Sequence, residues 1–222
     1  MVYCFFYFLN VFNGAFMRIL LLFFVFYCSQ CLAYEYDLCR NGMFPTYNGS
    51  YNIGIINKNT KSYDDECIDG GVNCAPNGVL LKGDEVLISH SMKGFLCYWK
   101  DDDNVNFVRE GDVTIKRNVE REINVKNIVG VWEFGDSTVN ITNKKNGEYH
   151  ISGQSYWYGG HGNLHYGELD SDVKIINGIM RWDGPDLCTG KIKLLGNKII
   201  VHDNNQCGGA NVSFDGVYQK LD

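Results

Sequence analysis

The sequence predicts an all-β protein that consists of a small β-barrel followed by a larger antiparallel meander barrel. From Val79 onward, short apolar stretches alternate with tight turns every six to ten residues, which is typical of short strands. No stretch of useful length shows the apolar period of an amphipathic helix. Two apolar stretches also flank Gly196-Asn197, a pair of residues that favours a two-residue hairpin turn.

The first 33 residues have the features of a secretory signal peptide. Arg18 precedes a short apolar core, and Ala33 is the small residue expected at a cleavage site. We expect translation to start at Met17, because residues 1–16 are rich in aromatic side chains and carry no charge. The alternative is an uncleaved membrane anchor, but polar residues interrupt the apolar run, and a span needs about 20 apolar residues.

Six of the nine cysteines lie beyond residue 33, and an even number in an exported chain predicts disulfides. If residue 195 pairs with residue 198 across the hairpin, Cys188 and Cys207 come together near its open end. We therefore predict a bridge between these two cysteines. The other four allow three pairings, which the sequence leaves open: Cys39, Cys67, Cys74 and Cys97.

Removal of the first 33 residues leaves 189 residues with 19 basic and 26 acidic side chains, a net charge of −7. A chain this acidic is not expected to be a general binder of nucleic acid or of anionic membranes. Contact with a membrane is expected only through the N-terminal segment, if that segment is not cleaved. We expect a periplasmic or secreted protein whose length suits two small domains or one large one.

Residues 34–122 are expected to form the first domain. Its first part, residues 34–78, is rich in Gly, Asn and Asp and contains one clear strand candidate at Tyr51–Asn57. Further strand candidates follow at Val79–Leu81, Glu85–Ser89, Phe95–Trp99, Val105–Arg109 and Val113–Arg117. Short strands broken by tight turns indicate a small β-barrel. The polar segment Asn118–Asn127 is expected to be a linker, with the domain boundary near residue 122.

Three segments of this domain resemble a bacterial SH3-like domain. They are Lys82-Gly83-Asp84-x-Val86, Lys93-Gly94-Phe95-x-Cys97-x-Trp99 and Val105-x-Phe107-Val108. In such domains the last segment is usually Gly-Trp-Val, whereas this chain has Asn106-Phe107-Val108. The missing Trp often lines the peptide groove of these domains. The resemblance therefore does not extend to the binding of cell-wall peptides.

Residues 123–222 are expected to form a second domain of about nine antiparallel strands that close on themselves. The strand candidates are Val129–Phe134, Ser137–Thr142, Glu148–Ser152, Gln154–Tyr158, Asn163–Leu169, Val173–Ile176, Ile179–Trp182, the hairpin strands 191–195 and 198–201, and a closing strand over Val212–Tyr218. In the turn before that last strand, we expect Gly208-Gly209 to reverse the chain through positive φ. The nearby asparagines tolerate the same conformation: Asn204, Asn205 and Asn211.

Two segments of this domain resemble known barrel families. Gly130-x-Trp132 is similar to the Gly-x-Trp of lipocalin-type barrels, in which the Trp packs at the closed end. Asp203–Tyr218, with the pattern DNxxCGGxNVSFxGxY, resembles the C-terminal signature of uncharacterised bacterial exported proteins. Those proteins combine a signal peptide, an SH3-like region and a calycin-like barrel. The resemblance implies an architecture rather than an activity.

The sequence contains no pattern that predicts catalysis, a metal site or a cofactor. His161 and His165 would share one face of a strand and Glu168 the other, with His150 nearby, so we expect no metal ligands there. No Gly-x-Ser-x-Gly elbow is present, and the cysteines are expected to be paired. The acidic runs are expected to be solvated loops rather than paired catalytic carboxylates.

The best candidate for a binding surface is formed by Tyr156, Trp157, Tyr158 and His161. Three consecutive aromatic residues cannot all face one side of a strand, so at least one is expected to face outward or into a cavity. Exposed aromatic side chains next to a Gly-Gly loop suit a protein partner or a sugar. The alternative is that Tyr156 and Tyr158 are core residues and Trp157 is a lone surface aromatic.

We expect an exported, disulfide-stabilised, non-enzymatic binding protein. Its expected partner is an envelope protein such as a cell-wall hydrolase or a toxin, which it would engage as an inhibitor or immunity factor. One alternative is a lipocalin-like carrier of a small apolar ligand inside the second barrel. Another is an enzyme whose site the sequence does not reveal.

Overall fold

The computed structural model describes residues 39, 43–47, 50–68, 70, 75–102, 104–116, 125–145, 147–184 and 187–221. Within these residues the chain forms fifteen β-strands, two four-residue helices and two 3-10 turns, so the all-β class is confirmed. Residues Cys39–Asp222 belong to one compact unit. The predicted signal peptide, Cys74 and the predicted boundary near residue 122 lie outside the described residues.

The first seven strands form one antiparallel sheet, where the sequence predicted a small barrel. The strands are β1 Asn52–Ile56, β2 Thr60–Tyr63, β3 Gly78–Leu80, β4 Glu85–Met92, β5 Phe95–Trp99, β6 Val105–Arg109 and β7 Val113–Lys116, with helix α1 at Asp65–Ile68 after β2. Their order across the sheet is β3-β2-β6-β5-β4-β1-β7. Strand β2 was not predicted, because its sequence TKSY contains few apolar residues.

The remaining eight strands form a closed antiparallel barrel, as predicted. They are β8 Gly130–Phe134, β9 Ser137–Asn143, β10 Tyr149–Tyr158, β11 Leu164–Ile176, β12 Ile179–Asp183, β13 Thr189–Leu195, β14 Lys198–Asp203 and β15 Gly216–Lys220, preceded by helix α2 at Val125–Ile128. Each strand pairs with its neighbour in the sequence, and β15 pairs with β8 to close the barrel.

The barrel has eight strands where the sequence offers ten candidates, because two pairs of candidates are continuous: 148–152 with 154–158 in β10, and 163–169 with 173–176 in β11. Strand β10 runs through Gly153, which lies between the first pair of predicted strands. A Cβ at this position would lie 2.3 Å from the carbonyl oxygen of Thr138 on the neighbouring strand. The glycine therefore allows a close approach of two backbones within the sheet rather than a turn.

The predicted register of the last hairpin is confirmed. Leu195 pairs with Lys198 across Gly196-Asn197, and the ladder continues to Gly190 and Asp203. At its open end, Cys188 and Cys207 form a disulfide with a Cα–Cα distance of 4.6 Å. A second disulfide joins Cys39 to Cys97, which resolves part of the pairing that the sequence left open.

In the turn after β14, positive φ occurs at two of the asparagines that the sequence indicated and not at the glycines. Neither Gly208 nor Gly209 has a positive φ; the left-handed residues are Asn205 and Asn211, at 58° and 66°. Gly208 is required for another reason, because a Cβ there would lie 2.8 Å from the Cα of Gly167 on β11. The Gly-Gly pair therefore brings the loop onto the barrel wall, and the asparagines turn the chain.

The closing strand begins at Gly216, not at Val212, because a buried carboxylate holds the residues before it. Asp203 is 1% exposed. Its carboxylate accepts hydrogen bonds from the backbone N–H of Phe214 at 2.6 Å and of Asn205 at 2.7 Å, and from the Ser213 hydroxyl at 3.2 Å. Burial raises the pKa of Asp203 above its ordinary value. These donors face the carboxylate instead of a neighbouring strand.

Large side chains fill the interior of the barrel. Trp132, Trp182, Phe214 and Tyr218 belong to one buried cluster together with apolar residues from each of the strands β9 to β14. At one end the indole N–H of Trp132 donates to the carbonyl oxygen of Ile128 in α2 at 2.8 Å. This packing favours a solid core over a ligand cavity.

The sheet and the outside of the barrel share a second apolar cluster. Leu195, Ile200 and Val217 on β13–β15 pack against residues from the part of the chain that precedes the barrel, including Tyr51 and Trp99. The ammonium group of Lys198 also lies 5.5 Å from the centre of the Trp99 ring. The sheet therefore covers the outer face of β13–β15.

A buried carboxylate also links the turn before β7 to the β1–β2 turn and to β2. Asp112 lies 2.7 Å from Nζ of Lys58 and accepts a hydrogen bond from Thr60 Oγ1 at 2.5 Å. The hydrogen bonds from Lys58 and Thr60 hold the pKa of Asp112 below its ordinary value of 3.8. The pair contributes stability only while Asp112 is ionised.

We predict that loss of the Cys39–Cys97 bridge destabilises the protein more than loss of Cys188–Cys207. The bridges span 58 and 19 residues. Chain entropy then gives about 4 and about 3 kcal/mol, respectively. Urea unfolding of the two double Cys→Ser variants measures the difference, and the reverse order would contradict the prediction.

The replacement Asp203→Asn should lower the free energy of unfolding by about 1–3 kcal/mol, because an amide cannot accept hydrogen bonds at both of its terminal atoms. Chemical denaturation measures this change. The matched control is Asp136→Asn, at an exposed position between β8 and β9, which should have little effect. Equal effects of the two variants would contradict a stabilising role of the hydrogen bonds to Asp203.

Stability conferred by Asp112 should be present above its unfolded pKa and lost as the pH falls through its lowered folded pKa. The variant Asp112→Asn should therefore be less stable than the native chain at neutral pH, and the difference should shrink below pH 3.8. Unfolding midpoints between neutral and acidic pH test this. The control Glu110→Gln, in the same turn but exposed, should follow the native protein.

Candidate functional site

The β10–β11 hairpin presents aromatic side chains on the outside of the barrel. Tyr156 pairs with Tyr166 and Tyr158 with Leu164 across the two strands. These four residues face away from the core, because alternate residues such as Ser155 and Gly167 are buried. We call Tyr156, Tyr158, Leu164 and Tyr166 the tyrosine patch.

The tyrosine patch is well exposed for its size. Tyr158 is 63% exposed, Tyr166 is 62% exposed and Leu164 is 50% exposed. The rings of Tyr156 and Tyr158 stack with their centroids 6.4 Å apart. The phenol of Tyr156 donates to Gln154 Oε1 at 3.0 Å, which fixes that ring along the strand. The patch is therefore an ordered set of aromatic surfaces.

Trp157 faces the opposite side of the hairpin and has a structural role. Its ring is 5.1 Å from the ring of His165, whose Nδ1 lies 2.5 Å from the carbonyl oxygen of Ala210. A Cβ at Gly159 would collide with the Trp157 ring at 2.6 Å. The alternative, in which Tyr156 and Tyr158 are core residues and Trp157 is a lone surface aromatic, is therefore wrong, because the two tyrosines face outward and Trp157 faces the opposite side.

His161 lies at the exposed tip of the hairpin, apart from the tyrosine patch. Its φ is 62°, and glycines flank it on both sides. The turn is closed by the N–H of Gly159, which donates to the carbonyl oxygen of Asn163 at 2.7 Å. His161 therefore belongs to the same hairpin as the predicted surface, but not to its aromatic face.

The histidines and the glutamate considered as metal ligands do not converge. His165 faces the loop at Ala210, whereas Glu168 is exposed on the other side of β11. His150 contacts Asp170 through Nε2 at 3.3 Å and Asp172 through Nδ1 at 3.0 Å, so its two nitrogens face different carboxylates. Among the described residues no group of three or more His, Cys, Asp and Glu side chains could hold a metal ion.

A second surface feature, which was not predicted from the sequence, is a polar groove of about 1170 Å³ lined by residues of β10–β14. The strand register places basic residues directly opposite one another across its floor. Lys174 pairs with Arg181, Arg181 with Lys191, and Lys191 with His202. We call Lys174, Arg181, Lys191 and His202 the basic row.

Part of this row follows from signals in the sequence. Asn177-Gly178 lies between Ile176 and Ile179 and favours a two-residue hairpin, which would set Lys174 opposite Arg181. The register predicted for the last hairpin likewise sets Lys191 opposite His202. The pairing of Arg181 with Lys191 was not predictable from the sequence, because the connection between β12 and β13 is longer.

At one end of the basic row, His202 and Lys191 contact polar groups of the fold. Nδ1 of His202 lies 3.1 Å from Asp215 Oδ2 and 3.3 Å from Thr46 Oγ1. Lys191 donates from Nζ to the carbonyl oxygen of Tyr47 at 3.1 Å. Burial, and secondarily the charge of Arg181, lowers the pKa of Lys191.

Carboxylates line the other side of the groove. Lys144 contacts Asp172, and the hydrogen bonds from Lys144 and His150 hold the pKa of Asp172 below its ordinary value. The groove can therefore contact charged ligands, while the tyrosine patch offers flat apolar area.

Among the described residues, no helix has the length and apolar character needed to cross a membrane. The Cys39–Cys97 and Cys188–Cys207 disulfides indicate an oxidising, extracytoplasmic environment. No protein-family model, curated protein or solved structure matches the chain. Its fold and its surfaces are therefore the basis for the functional conclusion.

Proposed function

We propose that this chain is an exported, non-enzymatic binding protein whose tyrosine patch contacts a protein partner in the cell envelope. The observation that carries the proposal is the outward orientation of Tyr156, Tyr158 and Tyr166 beside Leu164. Tyrosine supplies large contact area at low conformational cost and is enriched at protein interfaces. The patch lies on paired strands, which hold its side chains in place before any partner binds.

The compartment supports this proposal. Disulfides persist in oxidising environments, and two of them staple the described fold. We propose that residues 1–33 are a cleaved signal peptide and that the mature protein is periplasmic or secreted. The relation to exported proteins with an SH3-like region and a calycin-like barrel, inferred from the Asp203–Tyr218 signature, stays a prediction.

A cell-wall hydrolase is the partner class that we propose, with this chain as its inhibitor or immunity factor. The net charge of the full chain is −6. An acidic protein attracts a basic partner, and this attraction raises the association rate. The aromatic patch would then supply the short-range contacts that slow dissociation.

The two other candidate functions have less support. A carrier of apolar ligands requires an internal cavity, whereas Trp132, Phe214 and Tyr218 occupy the barrel interior. An enzyme requires a positioned acid, base or nucleophile, whereas His150 and His165 contact groups of the fold itself. Both observations favour binding on the outer surface.

A pull-down from envelope extract, followed by titration with the purified hydrolase that it recovers, tests the proposal. We expect the native chain to bind and inhibit this hydrolase. The double variant Tyr158→Ser/Tyr166→Ser should bind at least about tenfold more weakly, because each truncated interface tyrosine typically costs about 1–2 kcal/mol. Urea unfolding should show that the barrel of this variant stays folded.

The matched control is Val79→Ser/Leu81→Ser, which removes two apolar side chains that are 65% and 54% exposed on the sheet. This control should bind like the native chain. Recovery of no hydrolase would contradict the proposed partner class. Equal binding by both double variants would contradict the tyrosine patch as the contact surface.

A further inference from the structure

The basic row is unusual because β-sheets disfavour like charges in directly opposed positions. Lys174, Arg181 and Lys191 are opposed in sequence across three neighbouring strands. Overall the chain has six more acidic than basic residues, so the row is not the result of a generally basic surface. The fold thus keeps an arrangement of charges that does not stabilise the barrel.

The side chains of two cations in this row are not used by the fold. Within the part of the chain that the structure describes, Lys174 and Arg181 have no side-chain ion pair or hydrogen bond, and both are exposed. Lys191 uses one donor for the carbonyl oxygen of Tyr47, and an ammonium group has three. All three therefore have N–H groups available to a ligand in the groove.

The carboxylates that follow the row along β11 and β12 do not cancel it. Asp172 and Asp183 lie two residues along their strands from Lys174 and Arg181, a displacement of about 7 Å. Asp172 already contacts Lys144 and His150 on its other side. At the far end, Asp215 faces His202 and leaves Lys191 unpaired with any carboxylate among the described residues.

We propose that the basic row is a binding site for a glycan that carries phosphate or sulfate esters. Neighbouring strands are about 4.8 Å apart, so Lys174, Arg181 and Lys191 present three cations over roughly 10 Å. Oxyanion groups accept several charge-assisted hydrogen bonds each, and the planar guanidinium of Arg181 at the centre suits bidentate contact.

The polar groove favours a short glycan segment over a long polyanion. Asp170, Asp172 and Asp183 border the row on one side, and the acidic chain repels a polyanion beyond the groove. Hydroxyl groups of a sugar can donate to these carboxylates while its ester groups contact the cations. The site is separate from the tyrosine patch, so its failure and the failure of the protein-binding proposal are distinguishable.

The experiment is a calorimetric titration of the full chain with three probes at low salt, where charge screening is weak. The probes are a heparin-derived tetrasaccharide, linear tetraphosphate and an unsulfated hyaluronan tetrasaccharide. We expect saturable binding of the first or the second probe, which identifies sulfate or phosphate as the preferred group. We expect much weaker binding of hyaluronan, whose only charges are carboxylates.

The variant Arg181→Gln should weaken the binding about tenfold or more. The variant Lys82→Gln, at an exposed lysine in the turn between β3 and β4, should leave it unchanged. The two variants lose the same charge, so the pair separates a local site from overall charge. Without ligand, Arg181→Gln should melt at the same temperature as the native chain or higher, because it relieves like-charge repulsion.

Three results would overturn the proposal. One is the absence of binding for both the heparin tetrasaccharide and tetraphosphate. Another is an equal loss of binding in Arg181→Gln and Lys82→Gln, which would indicate general attraction. The third is a lower melting temperature for ligand-free Arg181→Gln together with unchanged affinity, which would make the row a structural feature.

Discussion

The buried carboxylate of Asp203 organises the part of the chain on which barrel closure depends. It accepts hydrogen bonds from Asn205, Ser213 and Phe214, and so shapes the loop that leads from β14 to β15. Burial opposes its ionisation, which makes the surrounding donors necessary. The backbone N–H of Asp203 itself donates to Asp215 at 2.6 Å, so the two aspartates brace both ends of the loop.

The position of β15 depends on this loop. Strand β15 follows the loop and pairs with both β14 and β8, which completes the barrel. The same strand turns Tyr218 into the barrel core and Val217 outward onto the sheet. The phenol of Tyr218 donates back to the carbonyl oxygen of Phe214 at 3.0 Å. Closure of the barrel and attachment of the sheet are therefore linked through one short strand.

The attachment of the sheet decides which part of the barrel surface is available for binding. Leu195, Ile200 and Val217 are covered by the first region of the chain. The outer faces of β10–β12 instead carry the tyrosine patch and most of the polar groove. Among the described residues, the tyrosine patch and the Lys174–Arg181 part of the basic row lie on these strands. The other part of the row, Lys191 and His202, lies on β13 and β14, where Thr46 and Tyr47 contact them. A ligand in the groove would therefore contact the barrel next to Thr46 and Tyr47.

Local patterns were enough to predict the fold class, most strands, the register of the last hairpin and the Cys188–Cys207 bridge. Apolar alternation and two-residue turns act over a few residues, so they are visible in a single sequence. The orientation of Tyr156–Tyr158 was not predictable in this way, because it depends on which side of β10 meets the core.

The same limit applies to Gly153, Gly208 and Asp203. Glycine is typical of turns, but Gly153 and Gly208 are each needed for contact with a distant backbone. Asp203 has the composition of a solvated loop, yet burial by residues ten or more positions away gives it its role. Contacts between residues far apart in the chain fixed these functions, since a local pattern carries no information about which distant groups will be brought against it.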